Sequence, residues 1–513
     1  MKRTFYRLQV LPFLALFPFI TSAESKDKRP NIIVILVDDM GYSDLGCMGS
    51  EINTPNLDKL ANQGVLFTNF YNTSRCCPSR ASLLTGQYQW DAGIGHMDNT
   101  RSNAPEYQGY LNNQSITIAE ALGSNGYRTF MSGKWHVGNK REHWPDKRGF
   151  QQFYGTPEGG GVYFYPSRFY KRDVYKNGKQ VHPDSTWYST DGFTDAALEF
   201  IQHEKSQTEP FFMYMAYIAP HFPLQAKPED IAKYLGQYDK GYDEVRKARF
   251  KKQKELGIVR KDLPISAPTY PEWEQVKNKD QEARKMEVYA AMVDNLDQNI
   301  GKLIQELKEH QLYENTVIMF LSDNGGCPSN FNKTPNAKIG TRYSNSAYGK
   351  WHNVSNTPLR YGKRREHEGG ISTPLIVHWP AGRIKHGKII REPAHINDIM
   401  PTCLELSKTT YPDTYKGNKL SKLDGQSFMP LAKGKVQDRK RYYFWEHEGN
   451  KAVRQGDWKL VKLHKKPWEL YHVKDDPYEM KDLIDQYPDK ASELETKYHA
   501  WAKDHGVRAW PLH

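Results

Sequence analysis

From Asn31 to Val37 the chain reads Asn-Ile-Ile-Val-Ile-Leu-Val, an unbroken apolar and β-branched run. Such a run has no polar face to offer to water, so it predicts a strand covered on both sides, as in a parallel sheet. Runs from Tyr127 to Met131, Phe211 to Ile218 and Thr316 to Leu321 predict three more strands. Between the last two, Val293, Leu296, Ile300, Leu303 and Leu307 recur at the helical period, the stripe of a helix packed on a sheet. Alternating strands and helices predict an α/β fold: a large doubly wound, mostly parallel sheet with helices on both faces.

Each predicted strand ends in a polar motif: Asp38-Asp39-Met40-Gly41, Ser132-Gly133-Lys134-Trp135-His136, Ala219-Pro220-His221-Phe222-Pro223 and Ser322-Asp323-Asn324-Gly325-Gly326. Ligands of doubly wound sheets bind beyond the carboxyl ends of the strands, so these motifs predict one shared site. After about residue 437 the texture changes to short aromatic runs around Tyr442–Trp445, Ala452–Arg454, Trp458–Val461 and Trp468–Tyr471. These predict a small antiparallel sheet, closed by a helix from Lys490 to Asp504. The expected organisation is therefore a signal peptide over 1–23, a catalytic α/β domain over 24–437 and a small C-terminal subdomain over 438–513.

The signal peptide rests on the basic start with Lys2, Arg3 and Arg7, the apolar run Leu11 to Ile20, and the small residues Thr21-Ser22-Ala23. The apolar run is shorter than the ~20 residues of a membrane span, so the expectation is export to the periplasm or outside, with no stable membrane insertion after cleavage. The 513 residues are 38% hydrophobic and 26% charged, which excludes collagen, coiled coil and polytopic membrane protein. The formal net charge of +12 drops by three to +9 if Lys2, Arg3 and Arg7 are removed, and this balance favours anionic ligands without choosing among nucleic acid, acidic polysaccharide and small oxyanions. Five cysteines, at 47, 76, 77, 327 and 403, are too few for a disulfide scaffold, and their odd number leaves at least one thiol unpaired or chemically used.

Asp38, Asp39, Asp323 and Asn324 are hard oxygen ligands without a histidine among them, a set suited to Ca2+ or Mg2+ rather than zinc, although acids at strand ends also serve as caps and turns. Lys134 and His136 lie two apart and would face one side if the segment is extended. Pro78 suits a first helical turn and Gly86 a helix end, which puts Cys76 at a helix N-terminus, where an anion is favoured, with Arg80 one turn on. A structural cysteine pair is the alternative. Three further stretches are ambiguous: the aromatic loop Gly159–Tyr165 is either a ring-stacking platform or loop packing, the basic run Arg246–Lys254 reads first as a solvated helix face, and His96 is a candidate for the pocket rim.

The stretch Cys76-Cys77-Pro78-Ser79-Arg80-Ala81-Ser82-Leu83-Leu84-Thr85-Gly86 resembles, without a mismatch, the Cys-x-Pro-Ser-Arg-x-x-x-Leu-Thr-Gly maturation signature of the formylglycine-dependent (type I) sulfatases, arylsulfatase-like members of the alkaline phosphatase superfamily. Asn356–Lys363 with Glu368-Gly369-Gly370 is similar to a second stretch of that family, with Tyr361 standing where glycine is common. The resemblance implies that a formylglycine-generating enzyme oxidises Cys76. It implies that Asp38, Asp39, Asp323 and Asn324, with residue 76, bind one divalent ion, usually calcium, and that Arg80, Lys134, His136, His221 and Lys363 contact the sulfuryl group. His221 or Lys134 would protonate the leaving oxygen. The expected substrate is a sulfated carbohydrate, with no nucleic-acid partner. The alternatives are a phosphatase or phosphonate monoester hydrolase of the same superfamily, or a non-catalytic sulfated-glycan binder if Cys76 is not matured.

Overall fold

The computed structural model describes Met1 and residues 29–100, 102–170, 172–204, 208–435 and 441–512. The signal-peptide run and the boundary near 437 lie outside the described residues. Strand β1 spans Asn31–Val37, as its apolar run predicts, and every residue of it is buried. Its alternate side chains divide between two cores, Ile33, Ile35 and Val37 on one face of the sheet and Ile32, Val34 and Leu36 on the other.

Beside β1, the described residues contribute β2 (Val65–Tyr71), β3 (Arg128–Lys134), β4 (Gln152–Thr156), β5 (Val174–Lys176), β6 (Lys179–Val181), β7 (Phe211–Ala216), β8 (Thr316–Ser322), β9 (Ser372–His378), β10 (Lys388–Ile390) and β11 (Ala394–His395) to one sheet. Its order is β10-β2-β9-β8-β1-β7-β3-β4-β5-β6, with β11 also on β2. The central block β8-β1-β7-β3-β4 is parallel throughout, while β9 runs antiparallel to both neighbours and β5 and β6 close the other edge as a hairpin. Parallel register aligns Val37 with Ser322 and Leu36 with Ala216, so the polar motifs that follow β1, β7 and β8 emerge side by side.

Two strand ends differ from the apolar runs. β3 continues three residues beyond Met131, because Ser132 and Gly133 pair through their backbones with both β4 and β7, and Lys134 with β4. Gly133, at φ 117, is the close-approach position: a β-carbon there would lie 2.0 Å from the Ala216 carbonyl oxygen. β7 stops at Ala216, two residues short of the run, as the chain turns toward Pro220.

The helix Lys279–Glu309 buries Val293, Leu296, Ile300, Leu303 and Leu307 as its stripe requires. A two-residue ladder, β12 (Thr414–Tyr415) with β13 (Asn418–Lys419), precedes the expected C-terminal sheet of β14 (Tyr442–His447), β15 (Asn450–Gln455), β16 (Trp458–Lys462) and β17 (Glu469–His472), antiparallel in sequence order. The closing helix, Pro488–Asp504, lays Trp501 flat on Phe444 and edge-on to Trp90, so it joins the small sheet to the large domain. No helix of the described residues is long and apolar enough to cross a membrane.

Candidate active site

The helix Cys76–Thr85 starts at Cys76, is preceded by an extended Arg75, and ends at Gly86 in the left-handed conformation (φ 71). All ten of its residues are buried. Ser79 Oγ donates to the Asp323 carbonyl (2.5 Å), and the Arg80 guanidinium donates to Asp323 Oδ2 (2.9 Å) and to the Lys134 carbonyl (3.0 Å). One helix is thereby tied to the ends of β8 and β3. A hydrogen bond with the Cys77 thiol holds the Cys76 thiol well below the usual thiol range; burial opposes this, and the charges of Lys134, Lys363 and His136 support it. Burial pushes Cys77 far up, so the two neighbouring thiols differ in character.

Asp38, Asp39, Asp323 and Asn324 are all buried. The Asp39 amide donates to Asp323 Oδ1 (3.3 Å), and Asn324 Nδ2 donates to Asp39 Oδ1 (2.7 Å). The Lys134 ammonium is paired with Asp38 and that of Lys363 with Asp39. Burial penalises charge on Asp38, but Lys134, His221, Lys363 and Arg80 outweigh it and hold this carboxyl well below the ordinary range. Asp323 goes the other way, pushed well up by burial and by the charge on Asp38. Asp38 Oδ1, Asp39 Oδ2 and Asn324 Oδ1 remain buried acceptors with no hydrogen-bond partner among the described residues. Stranded acceptors of this kind are costly, and an all-oxygen set that drives one of its acids toward the neutral form fits a hard divalent cation.

Lys134, His136, His221 and Lys363 line the same cavity as Cys76, a cleft of about 450 Å3. His136 gets there by a different route from the one its spacing suggests. The extended segment ends at Lys134, and His136 takes φ 60, with Nε2 3.5 Å from Asp98 Oδ1. His221 Nδ1 meets the Phe222 carbonyl at 2.6 Å; a carbonyl only accepts, so Nδ1 carries a proton and Nε2, 3.5 Å from Asp39 Oδ2, is the atom that changes state. Burial pulls the His221 imidazole below its ordinary pKa. Tyr361 adopts φ 61, the backbone conformation glycine would take there. A larger cavity of about 550 Å3, bounded in part by Tyr42, Leu359 and Tyr478, holds none of these groups.

The ambiguous stretches resolve. Tyr163 is fully buried and its hydroxyl donates to the carbonyls of His221 (2.6 Å) and Ile218 (3.2 Å), so it fixes the histidine loop and leaves no face for a sugar; only Gly159–Gly161 of that loop line the cleft. The run Arg246–Lys254 is not simply a solvated face. Arg249 is buried and paired with Asp44 and Glu51 at 2.7 Å each, and Arg246 donates to Ser266. His96 lies off the cleft lining, stacked on His447 at 4.8 Å. Asp98, which positions His136, carries no sequence signal, because it acts on a residue distant in the chain; Tyr163, which positions His221, follows the packing reading of its aromatic loop. Arg80 is fully buried behind this lining, and a helix N-terminus bearing a low-pKa thiol, an oxygen cradle and the basic side chains Lys134, His136, His221 and Lys363 can bind a tetrahedral oxyanion and stabilise charge on its oxygens.

Residues 30–409 match the family described as Sulfatase, and residues 359–503 match N-sulphoglucosamine sulphohydrolase, C-terminal. An uncharacterized sulfatase of Schizosaccharomyces pombe is 34% identical over 95% of this chain and 96% of its own. An arylsulfatase of Klebsiella aerogenes is 33% identical over 81% of this chain and 95% of its own. Among solved structures, Ps i-CgsB in complex with k-i-k-neocarrahexaose is 29% identical with a TM-score of 0.72, covering 93% of each chain.

Proposed function

The chain belongs to the sulfatase family and is a sulfuric ester hydrolase, and from that premise we propose that it cleaves sulfate esters of sulfated carbohydrates, with residue 76 matured to formylglycine and one calcium ion bound. The observation carrying this reading is the set of stranded oxygens, Asp38 Oδ1, Asp39 Oδ2 and Asn324 Oδ1; Asp38 and Asp39 also pair with Lys134 and Lys363, two ammonium groups whose charge acts on Cys76. Asp38, Asp39, Asp323 and Asn324, with residue 76, would hold the ion, and Mg2+ would use the same oxygen chemistry. A bound calcium ion supplies positive charge that acidifies a neighbouring hydroxyl and draws electron density from sulfuryl oxygens. A hydrated formylglycine supplies one hydroxyl to attack sulfur and a second whose deprotonation releases sulfate.

The chain's own side chains do the rest. Arg80, Lys134, His136, His221 and Lys363 bind the sulfuryl oxygens as charge builds on them. His221 Nε2 or Lys134 Nζ delivers the proton to the leaving oxygen, and His136, steadied by Asp98, accepts the proton of the second hydroxyl. A saccharide substrate is supported by the neocarrahexaose named with Ps i-CgsB and by the basic balance of the chain. The basic and apolar N-terminal pattern supports export to the periplasm or outside, after maturation by a formylglycine-generating enzyme. With one aryl leaving group, sulfate release is expected to exceed phosphate release. Faster phosphate release would contradict the assignment.

A further inference from the structure

We propose that the wall of the catalytic cleft formed by Arg75 and Arg364 is a second anion subsite, so that the substrate carries another sulfate or a carboxylate beside the ester being cleaved. This rests on the sulfatase reading above and narrows its substrate class.

Both arginines line the cleft and both adjoin catalytic residues, Arg75 preceding Cys76 and Arg364 following Lys363. Their segments are locked together by the backbone: the Arg364 amide donates to the Ser74 carbonyl (2.9 Å), and the Arg364 carbonyl accepts from Asn450 Nδ2 (3.0 Å) in the C-terminal sheet. Arg364 is held at φ 73 and Ser74 at φ 55, left-handed conformations that residues bearing a β-carbon adopt only when their surroundings impose them. Ser74 Oγ is in turn fixed to Glu366 Oε1 at 2.8 Å. Among the described residues the Arg364 guanidinium has no hydrogen bond and no ion pair, and the Arg75 side chain hydrogen-bonds through Nε alone, to Met97 Sδ at 3.2 Å.

The other charges of the cleft are already engaged. Lys134 and Lys363 face Asp38 and Asp39, Arg172 faces Glu158 at 3.0 Å, and Asp98 faces His136. Glu448 acts on Arg75 electrostatically, but it sits between His96 and His447 at 3.6 Å from each. What remains on this wall is the Arg364 guanidinium and the terminal nitrogens of Arg75, which have no hydrogen-bond partner among the described residues. Planar forks of this kind grip sulfate and carboxylate oxygens in pairs, a geometry that lysine does not reproduce.

The test is steady-state kinetics on three saccharides sharing one scissile sulfate: monosulfated, disulfated, and monosulfated with an adjacent uronate. The wild-type protein should prefer at least one doubly anionic substrate over the monosulfated one by tenfold or more in kcat/KM, and comparison of the two identifies whether sulfate or carboxylate is the second group. In R364A and R75A that preference should shrink at least tenfold, mainly through KM, with R364K restoring only part of it and thermal melts checking the fold. Turnover of all three substrates with equal kcat/KM, or variants that lower all three equally, would overturn the subsite while leaving the sulfatase reading intact. No sulfate release from any of the three would overturn both.

Discussion

Asn324 Nδ2 donates to Asp39 Oδ1 at 2.7 Å, and this bond decides which way the amide faces: its oxygen is left as a buried acceptor alongside Asp38 Oδ1 and Asp39 Oδ2. An acceptor for the proposed cation is thus supplied by a side chain that is not itself charged. Asn324→Ala is expected to weaken calcium binding by more than about tenfold, measured by calorimetry on the chelator-stripped protein. Unchanged affinity would remove Asn324 from the ligand set.

Arg80 bonds Asp323 Oδ2 at 2.9 Å and lies 3.7 Å from Asp38 Oδ2, with all three side chains fully buried. Removing the guanidinium leaves buried acids short of a partner, a change that costs about 3 to 5 kcal/mol in comparable settings. Arg80→Ala should therefore lower the melting temperature as well as abolish turnover. Arg80→Lys should recover part of the stability and little of the activity, because the paired contacts need a planar fork.

Tyr163 bonds the carbonyls of Ile218 and His221 without touching the cleft chemistry itself. Tyr163→Phe should cost about 1 kcal/mol of stability, and it should lower kcat more than KM as His221 loses its fixed orientation. Equal effects on kcat and KM would argue for a general packing defect.

Glu446, buried on β14, is pushed up to about 7 by burial, against an amide hydrogen bond from Gly449. Its folded-state pKa lies above the ordinary value of 4.5, so the native state holds the proton more tightly than the unfolded chain. The stability this confers is fully present below 4.5 and is lost as pH rises through about 7. Glu446→Gln should flatten that loss, on the order of 3 kcal/mol, as read by chemical denaturation across the same interval. A wild-type profile without this decline would contradict the assignment.

The central strands were legible because they are buried on both faces: the apolar run of β1 coincides with the strand, while β3 outruns its apolar run since Ser132, Gly133 and Lys134 continue the backbone ladder without apolar side chains. The candidate ligand and anion-binding residues could be singled out because each sits on a short motif at a strand end, on the Cys76 helix or in the Asn356–Lys363 stretch. Asp98 and Asn450 could not, since their partners are distant in the chain, His136 38 residues from Asp98 and Arg364 86 from Asn450. Arg246 and Arg249 misled for a related reason. Their neighbours Lys247 and Lys251 are exposed, and a run of like charges hides which members turn inward to buried partners.

The proposed chemistry turns on the side chain at position 76. Peptide mass spectrometry of the protein purified from its native host, paired with sulfate release from an aryl sulfate, reads it directly. Formylglycine at residue 76 in proportion to activity, and neither in Cys76→Ala, is the expected result. Full turnover from protein whose Cys76 thiol is intact throughout would contradict the account.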